Sequence, residues 1–322
     1  MRSAVLWTVL AVLLPAAPSD AQPWVPPRGE GTVSLTYQNY YTLGHYDPQG
    51  RPNANGATHS KALVAEVDVG VTDTFALTIS LPYVAAKYTG PDQYKVGGFP
   101  TFPGPLDDRT YHGTLQDLHF EARRLWWLNS VAIAPLVGVT IPTHDYETRG
   151  EAVPGRHRRD LQLGVTAGAD LNRIVPRTYA YGRYALVTAE RMRGFSSVTS
   201  SLSLEGGVDA TSRVSARGIT TWQFRHKGPT VTELHDDDWE GHDRFIVSSY
   251  FNLGTAVSFY LTRRSELEVV WVANVSGKSG AHRSRMLAIG STWSFGKGAA
   301  GWGGLAALTD RRFQSNQRDR EF

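Results

Sequence analysis

Segments in which apolar and polar residues alternate constrain the fold of this chain more than any other feature. In GVTDTFALTISLPYV, residues 70 to 84, Phe75, Leu77 and Ile79 share one face of an extended chain, and Thr74, Thr78 and Ser80 share the other. The same period recurs in about twelve segments, each near the ~10 residues with which a tilted strand crosses a bilayer. No stretch after the N-terminal segment has the ~20 consecutive apolar residues of a spanning helix. The predicted spans are 31–43, 60–71, 74–87, 113–126, 130–142, 158–170, 177–189, 197–209, 212–226, 244–260, 265–277 and 283–296.

The connections between these segments alternate in length. Short ones, such as Thr72-Asp73 and Leu128-Asn129, take turns with long ones at 44–59, 88–112, 143–157, 190–196 and 227–243. A β-sandwich has links of mixed length, whereas an outer-membrane barrel has short periplasmic turns and long external loops. The sequence therefore predicts an all-β fold, a transmembrane up-and-down antiparallel β-barrel of about 12 strands, located in the bacterial outer membrane.

The N-terminal residues predict export. Arg2 precedes an apolar run, and small residues lead to an A-x-A-like site after Ala21. A retained anchor helix is the alternative, but the run is short for a bilayer and has no stop-transfer flank. We predict a cleaved signal peptide at 1–21, a barrel domain at 22–296 and a tail at 297–322, which either extends into the periplasm or folds back towards the lumen.

The amino-acid composition excludes several kinds of site and partner. With no cysteine, the chain has no disulfide, thiolate metal site, cysteine nucleophile or lipoprotein anchor. The formal net charge of +3 comes from 33 basic and 30 acidic residues, and this near balance argues against a nucleic-acid partner. The 32 glycines and the 14 Tyr, 12 Phe and 9 Trp residues suit a chain with many turns and with aromatic girdles at the membrane interfaces.

Several short motifs resemble a known family. They are Gly70-Val71-Thr72-Asp73, Leu81-Pro82-Tyr83, Gly113-Thr114-Leu115-Gln116-Asp117-Leu118, Pro142-Thr143-His144-Asp145-Tyr146 and Asp160-Leu161-Gln162-Leu163-Gly164. In this order they resemble landmarks of bacterial outer-membrane proteins associated with the phenol-degradation meta-pathway and described as transporter-like. Gln116 and His144 depart from the family pattern, which has glycine at both positions. The resemblance implies a barrel that passes small compounds, often aromatic or hydrophobic, without catalytic residues or a cofactor.

The alternation also assigns the two faces of each strand. We expect the lipid-facing residues to include Phe75, Leu77, Ile79, Leu81, Phe251, Leu253, Val257 and Phe259. We expect the lumen-facing charged residues to be Glu66, Asp68, Asp117, His119, Glu121, Arg123, Asp160, Arg183, Glu205, Asp209, Arg217, Arg225, Glu266 and Glu268. Mixed signs in a narrow space predict ion pairs that span neighbouring strands, because an unpaired ion away from bulk water is costly. Such pairs could either line a solute pathway or hold the barrel closed.

Three arginines suggest a preference among solutes. Arg183, Arg217 and Arg225 come from nearby strands and could form a basic strip opposite the acidic residues, which would favour anionic or polar solutes. The expected partners are outer-membrane lipid and lipopolysaccharide, the barrel-assembly machinery and a small-molecule solute.

The loop HDDDWEGHDR, residues 235 to 244, has the sharpest cluster of charges. Asp236, Asp238 and Glu240 match positions 1, 3 and 5 of a calcium-binding loop, but position 12 is Val247 instead of a bidentate glutamate. We therefore predict a solvated external loop and no metal site.

Some outer-membrane barrels are lipid hydrolases, which makes an enzyme one alternative. His282 and Ser284 share a face, and His59 precedes Ser60, but neither pair has an identifiable orienting partner. We predict no catalytic residues and a passive pore or transporter-like barrel. The first alternative is a structural or surface barrel without transport, and the second is a lipid hydrolase.

Overall fold

The computed structural model describes residues 23–54, 56–90, 95–96, 99–100, 104–230, 233 and 241–297. The predicted signal peptide 1–21, and residues 298–322 of the predicted tail, lie outside the described residues. The described part of the chain forms a closed barrel of twelve antiparallel strands, in which each strand pairs with its neighbours in sequence and β12 pairs with β1. These strands are β1 Gly31–Tyr46, β2 Ala57–Thr72, β3 Phe75–Thr89, β4 His112–Leu115 with Leu118–Arg124 and Trp126–Leu128, β5 Val131–Ile141, β6 Asp160–Asp170, β7 Thr178–Ala189, β8 Val198–Asp209, β9 Val214–Lys227, β10 Ser249–Tyr260, β11 Ser265–Lys278 and β12 His282–Phe295.

The predicted barrel is confirmed, and each predicted span overlaps one observed strand. The start of the tenth span is wrong: the prediction begins at 244, whereas helix α1, His242–Phe245, occupies that position and β10 begins at Ser249. The other elements are short strands, Pro52–Asn53 against β1 and Lys95–Val96 against Phe99–Pro100. Among the described residues, no helix is long and apolar enough to cross a membrane.

Strand β4 is interrupted opposite Pro82. Tyr83 of β3 pairs with Leu115 and Ser80 pairs with His119, so β4 carries one extra residue between these two pairs. Gln116 donates its backbone N–H to the Pro82 carbonyl at 2.8 Å. Because proline has no N–H to give to a neighbouring strand, a bulge at this position is the expected adjustment.

The two ends of the barrel differ. At the short-turn end, the connections are 73–74, 129–130, 171–177, 210–213 and 261–264; at the long-loop end they are 47–56, 90–111, 142–159, 190–197 and 228–248. The alternation of short and long connections is therefore as predicted. The exception is 279–281, a short connection at the long-loop end between β11 and β12.

Successive residues of each strand point to opposite sides of the barrel wall. Inward positions such as Ala76, Thr36 and Ala256 are at most 1% exposed. Outward positions such as Leu77, Ile79 and Leu253 are about 40% exposed, which gives the barrel an apolar outer surface. By this alternation, the eight residues predicted to face lipid all lie on the outer side: Phe75, Leu77, Ile79, Leu81, Phe251, Leu253, Val257 and Phe259.

Residues 23–30 enter the barrel at the short-turn end, which the sequence did not predict. Val25 is 1% exposed and packs with Ala76, Leu125 and Ala132, while Trp24 contacts the Tyr181 ring edge-on at 5.8 Å between centroids. These partners lie on the inner side of the wall. The segment preceding β1 therefore occupies part of the interior.

Candidate functional site

The short-turn half of the interior is crossed by ion pairs, the first of which centres on Arg217. Its guanidinium lies 2.8 Å from Glu205 Oε2 and 2.6 Å from Glu268 Oε1, and Ser258 donates to Glu268 at 2.9 Å. Arg217 is on β9, Glu205 is on the adjacent β8, and Glu268 is on β11. The Arg217–Glu268 pair must therefore pass over β10 on the concave side of the wall.

A second ion pair joins strands that are further apart. Arg183 of β7 donates two hydrogen bonds to the carboxylate of Glu121 of β4, and two strands, β5 and β6, separate them. This contact therefore crosses the interior of the barrel instead of following its wall. His119 Nε2 lies 3.9 Å from the same carboxylate, and its Nδ1 is 3.0 Å from Thr140 Oγ1.

A third ion pair ties the N-terminal segment to the wall. Arg123 of β4 donates to Asp68 of β2 at 2.6 Å and to Thr78 of β3 at 2.7 Å. The same guanidinium reaches the carbonyl of Trp24 at 3.4 Å, and Thr78 donates to Asp68 at 2.8 Å. These bonds pair the two charges and link Trp24 of the N-terminal segment to the inner side of the wall.

Aromatic rings fill the space beside these charges. Tyr179 and Tyr181 stack with ring centroids 5.9 Å apart, and the Tyr181 hydroxyl donates to Glu205 at 2.7 Å. With the edge contact from Trp24, the stack forms an aromatic wall next to Arg217. Tyr179 and Tyr181 are 7% and 4% exposed, so the stack fills part of the interior beside the ion pairs.

The predicted lumen residues thus separate into groups. Those joined in the three clusters are Asp68, Glu121, Arg123, Arg183, Glu205, Arg217 and Glu268, with His119 beside Glu121. Glu66, Asp209 and Glu266 occupy inward positions by register, since Glu66 pairs with the buried Ser34, Asp209 with the buried Ser215, and Glu266 alternates with Glu268. Asp117 and Asp160 take partners at the long-loop end.

The basic strip expected from three arginines is not formed. Arg183 and Arg217 are each paired with carboxylates. Arg225 is exposed near the long-loop end of β9, where it donates to the carbonyl of Gly228 at 2.8 Å. Neutralisation within the ion pairs leaves no continuous positive surface along these three residues.

Loops fold inward at the long-loop end. Ala152 is fully buried against Ala86 and Tyr88, which are inward residues of β3. Arg158, 6% exposed, donates to Asp160 at 2.8 Å, to Ser197 at 3.2 Å and to a carbonyl of α1 at 3.2 Å. Segment 142–159 is thereby fastened between the wall and the helix.

One glutamate among these inward-folded loops is buried and, among the described residues, has only a histidine as a basic group near it. Glu151 is 8% exposed, and its carboxylate lies 3.9 Å from His242 Nε2, beyond hydrogen-bond distance. Burial raises the pKa of Glu151 to about 7, opposed by His242 and reinforced by the charges of Asp243 and Asp107. By contrast, hydrogen bonds from Arg149 hold the pKa of the more exposed Glu147 at about 2.

A polar cavity opens beside these loops. Its volume is about 460 Å³. It is lined by Asp145, Tyr146, Glu147, Thr148, Arg149, His157, Arg193, Gly241, Arg244 and Phe245. Tyr146 donates from its hydroxyl to Asp117 at 2.6 Å, and Arg244 donates to the His157 carbonyl at 2.9 Å. The cavity forms a vestibule that can take a small polar or anionic molecule.

The residues of the hydrolase alternative have other partners. Ser284 is buried and its hydroxyl lies 2.7 Å from that of Tyr40, while His282 contacts His45 and lies 3.9 Å from Asp243. His59 bonds to Asn39 and Tyr111.

For metals, no group of three or more His, Asp and Glu residues in the described part of the chain is arranged to hold an ion. Asp236, Asp238 and Glu240 of the calcium-like loop lie outside the described residues.

Comparisons with known proteins support the fold. No family model matches the sequence, and no curated protein matches it. Among solved structures, an outer membrane channel from Pseudomonas putida F1 aligns with a TM-score of 0.66 at 14% identity, covering 87% of this chain and all of that one. The NanC porin aligns with a TM-score of 0.45 at 8% identity, covering 80% and 98% of the two chains. The fold is therefore that of outer-membrane β-barrel proteins.

Proposed function

We propose that the chain is a channel of the bacterial outer membrane for small polar or anionic solutes, aromatic ones among them. The observation that carries the proposal is a closed barrel with an apolar outer surface and a charged, hydrogen-bonded interior, the arrangement that suits lipid outside and water inside. The long-loop end faces the exterior, and the short-turn end faces the periplasm. Export through the predicted signal peptide 1–21 is part of the proposal.

The solute class is inferred from the order of groups along the axis. A solute entering from the long-loop end first meets the vestibule. Its three arginines, Arg149, Arg193 and Arg244, outnumber its two carboxylates, Asp145 and Glu147, and so favour negative charge. It then reaches the stacked Tyr179 and Tyr181 beside Arg217. Small aromatic carboxylates match the basic residues of the vestibule and the aromatic rings below it, and the resemblance to proteins of phenol degradation points to small aromatic compounds.

The ion pairs and residues 23–30 narrow the short-turn half, and this is the observation that favours the alternative of a structural barrel without transport. Variants without these interior charges distinguish a channel from a structural barrel. Arg217→Met with Glu205→Gln and Glu268→Gln removes all three charges of one cluster and leaves no ion unpaired. We expect larger conductance in planar bilayers and faster benzoate entry into liposomes than for the unmodified protein.

A second variant lacks residues 23–29, and it should enlarge conductance by clearing the same region. Arg225→Gln, which changes an exposed residue, serves as the control. It should leave conductance and benzoate entry within twofold of the values for the unmodified protein. If none of these proteins passed ions, benzoate or glucose, the channel proposal would be wrong and the structural alternative would stand. Release of acyl chains from phospholipid by the unmodified protein would instead establish the hydrolase.

A further inference from the structure

The outer surface of the barrel carries a basic patch at the long-loop end, composed of Tyr41, His59, Lys61, Lys87, Tyr111 and Arg285. Four of these residues are direct cross-strand neighbours on four adjacent strands. Arg285 of β12 pairs with Tyr41 of β1, Tyr41 with His59 of β2, and His59 with Lys87 of β3. Their side chains therefore form one row around the barrel.

The row points outward. Lys61 and Arg285 are exposed, and on their strands they share a face with the exposed Leu63 and Leu287. The inward face of β12 at this level holds Ser284, which is buried. Because alternate residues of a strand face opposite sides, the cations belong to the surface that continues into the apolar band.

Aromatic rings hold these cations in place. The Nζ atoms of Lys61 and Lys87 lie 4.8 and 4.9 Å from the centre of the Tyr111 ring. The Tyr111 hydroxyl is 2.7 Å from His59 Nδ1, and the Arg285 guanidinium lies 5.5 Å from the centre of the Tyr41 ring. Two ammonium groups on one ring repel each other unless an anion is present.

Among the residues that the structure describes, no carboxylate supplies that anion. In the described ranges, none of Lys61, Lys87 and Arg285 forms an ion pair with an acidic side chain. Asp108, three residues before Tyr111, is engaged with Thr110 at 2.7 Å and with His112 at 2.8 Å. On the far side of the barrel the exposed Arg159 does have an acidic partner, Glu190, at 3.7 Å.

The position of the patch along the barrel axis indicates which layer of the membrane would supply an anion. Lysine or arginine on the lipid face of a barrel costs roughly 2–4 kcal/mol at the bilayer midplane and about 0–1 near the interface. Lys61 is followed on its face by the apolar Leu63, and Arg285 by Leu287, so the row lies at the upper boundary of the apolar band. If the long-loop end is external, as the proposed function requires, this boundary is the headgroup layer of the outer leaflet.

We propose that the basic patch binds the phosphorylated glucosamine headgroup of lipopolysaccharide. Lys61, Lys87 and Arg285 contact its phosphates, for which ammonium and guanidinium groups are suitable donors. The rings of Tyr41 and Tyr111 provide flat surfaces for the sugar, while Leu63 and Leu287 below them face the acyl chains. The proposal rests on the outer-membrane orientation of the barrel but not on solute passage.

The test is a binding titration of the detergent-refolded mature protein, with native mass spectrometry as the readout. The probes are bisphosphorylated lipid A, lipid A without phosphates, and phosphatidylglycerol. We expect bisphosphorylated lipid A to bind at least tenfold more tightly than either of the others. The triple variant Lys61→Gln, Lys87→Gln, Arg285→Gln should lose at least tenfold of that affinity, and Tyr111→Leu should lose less.

The chain contains a matched control at the opposite end. The Arg124 guanidinium lies 5.6 Å from the centre of the Trp126 ring near the short-turn end, so Arg124→Gln removes a similar cation from the other leaflet and should leave lipid A binding unchanged. Equal affinity for phosphatidylglycerol, or full lipid A binding by the triple variant, would overturn the proposal. Should the triple variant fail to fold, Lys61→Gln and Lys87→Gln are measured singly, with a threefold or larger loss expected. Conductance of the folded variants reports separately on the channel function.

Discussion

Arg217 in the short-turn half and Glu151 at the long-loop end are both almost fully buried. They differ in whether an oppositely charged group lies in contact with them. Strand positions fix Glu205 and Glu268 within 3 Å of the Arg217 guanidinium, so the ion keeps its charge and its partners. Glu151 comes from a loop, and the described residue that could pair with it, His242, lies 3.9 Å away. Regular strands can hold charges in contact, whereas the loops bury an acid that is held best when it is neutral.

The largest effect, on the free energy of unfolding, is expected from breaking the Arg217 ion pairs. Arg217→Met alone leaves Glu205 and Glu268 buried without their cation, and removing one partner of a buried ion pair typically costs about 3–5 kcal/mol. We expect the free energy of unfolding to fall by that amount, measured by urea titration in detergent with the loss of strand signal in circular dichroism.

The triple variant Arg217→Met, Glu205→Gln, Glu268→Gln is the internal control. Replacing a whole buried ion cluster by neutral groups of similar size is often neutral or stabilising. We expect it to recover most of the stability lost in the single variant. A single variant as stable as the unmodified barrel would show that water reaches the cluster and screens it.

The next effect concerns the mouth and depends on pH. Since the folded pKa of Glu151 is raised from 4.5 to about 7, its contribution to loop closure is fully present below about pH 4.5 and is lost as the pH rises through 7. At 1.36 kcal/mol per pKa unit, the contribution is about 3 kcal/mol at most. We expect Glu151→Gln to slow proteolysis in segment 142–159 relative to the unmodified protein at pH 8, and to have little effect at pH 5.

Glu147 provides the comparison in the same segment. Its pKa is lowered to about 2, so it stays ionised throughout this range. The ratio of proteolysis rates between Glu147→Gln and the unmodified protein should therefore be the same at pH 5 and pH 8. A pH-independent ratio for Glu151→Gln as well would contradict the neutral state assigned to Glu151.

These differences also show what the sequence could predict. The twelve strands and the alternation of long and short connections were predictable because a period of two is a local property of each segment. Pairing was not, because Arg183 meets Glu121 across two intervening strands and only the closed curvature of the barrel brings them together. The sequence predicts the start of a strand at helix α1, since a single helical turn leaves almost no periodic signal.

The position of residues 23–30 was missed for a similar reason. The segment has no alternation, and its Pro26-Pro27 pair indicates only an extended chain that cannot pair as a central strand. What fixes it is distant in sequence: Arg28 N–H donates to Asp73 at 3.0 Å, and Gly29 N–H to the Gly70 carbonyl at 2.8 Å. Hydrogen bonds to the first short turn and to the end of β2 form only in the finished barrel.

The smallest expected effect is that of a substitution at Gly70. A Cβ at this position would lie 2.0 Å from the Pro26 carbonyl oxygen, so Gly70→Ala must push the N-terminal segment away from β2. Overpacking of this kind costs about 1–3 kcal/mol, and the mobile partner is the segment, since the wall is held by its neighbouring strands. We expect a modest rise in conductance, below that of the variant lacking 23–29. At Gly218 a Cβ meets no atom within 4 Å, so Gly218→Ala should leave conductance unchanged. If Gly70→Ala lowered the unfolding free energy without altering conductance, residues 23–30 would stabilise the barrel without obstructing it, and the ion pairs alone would set its permeability.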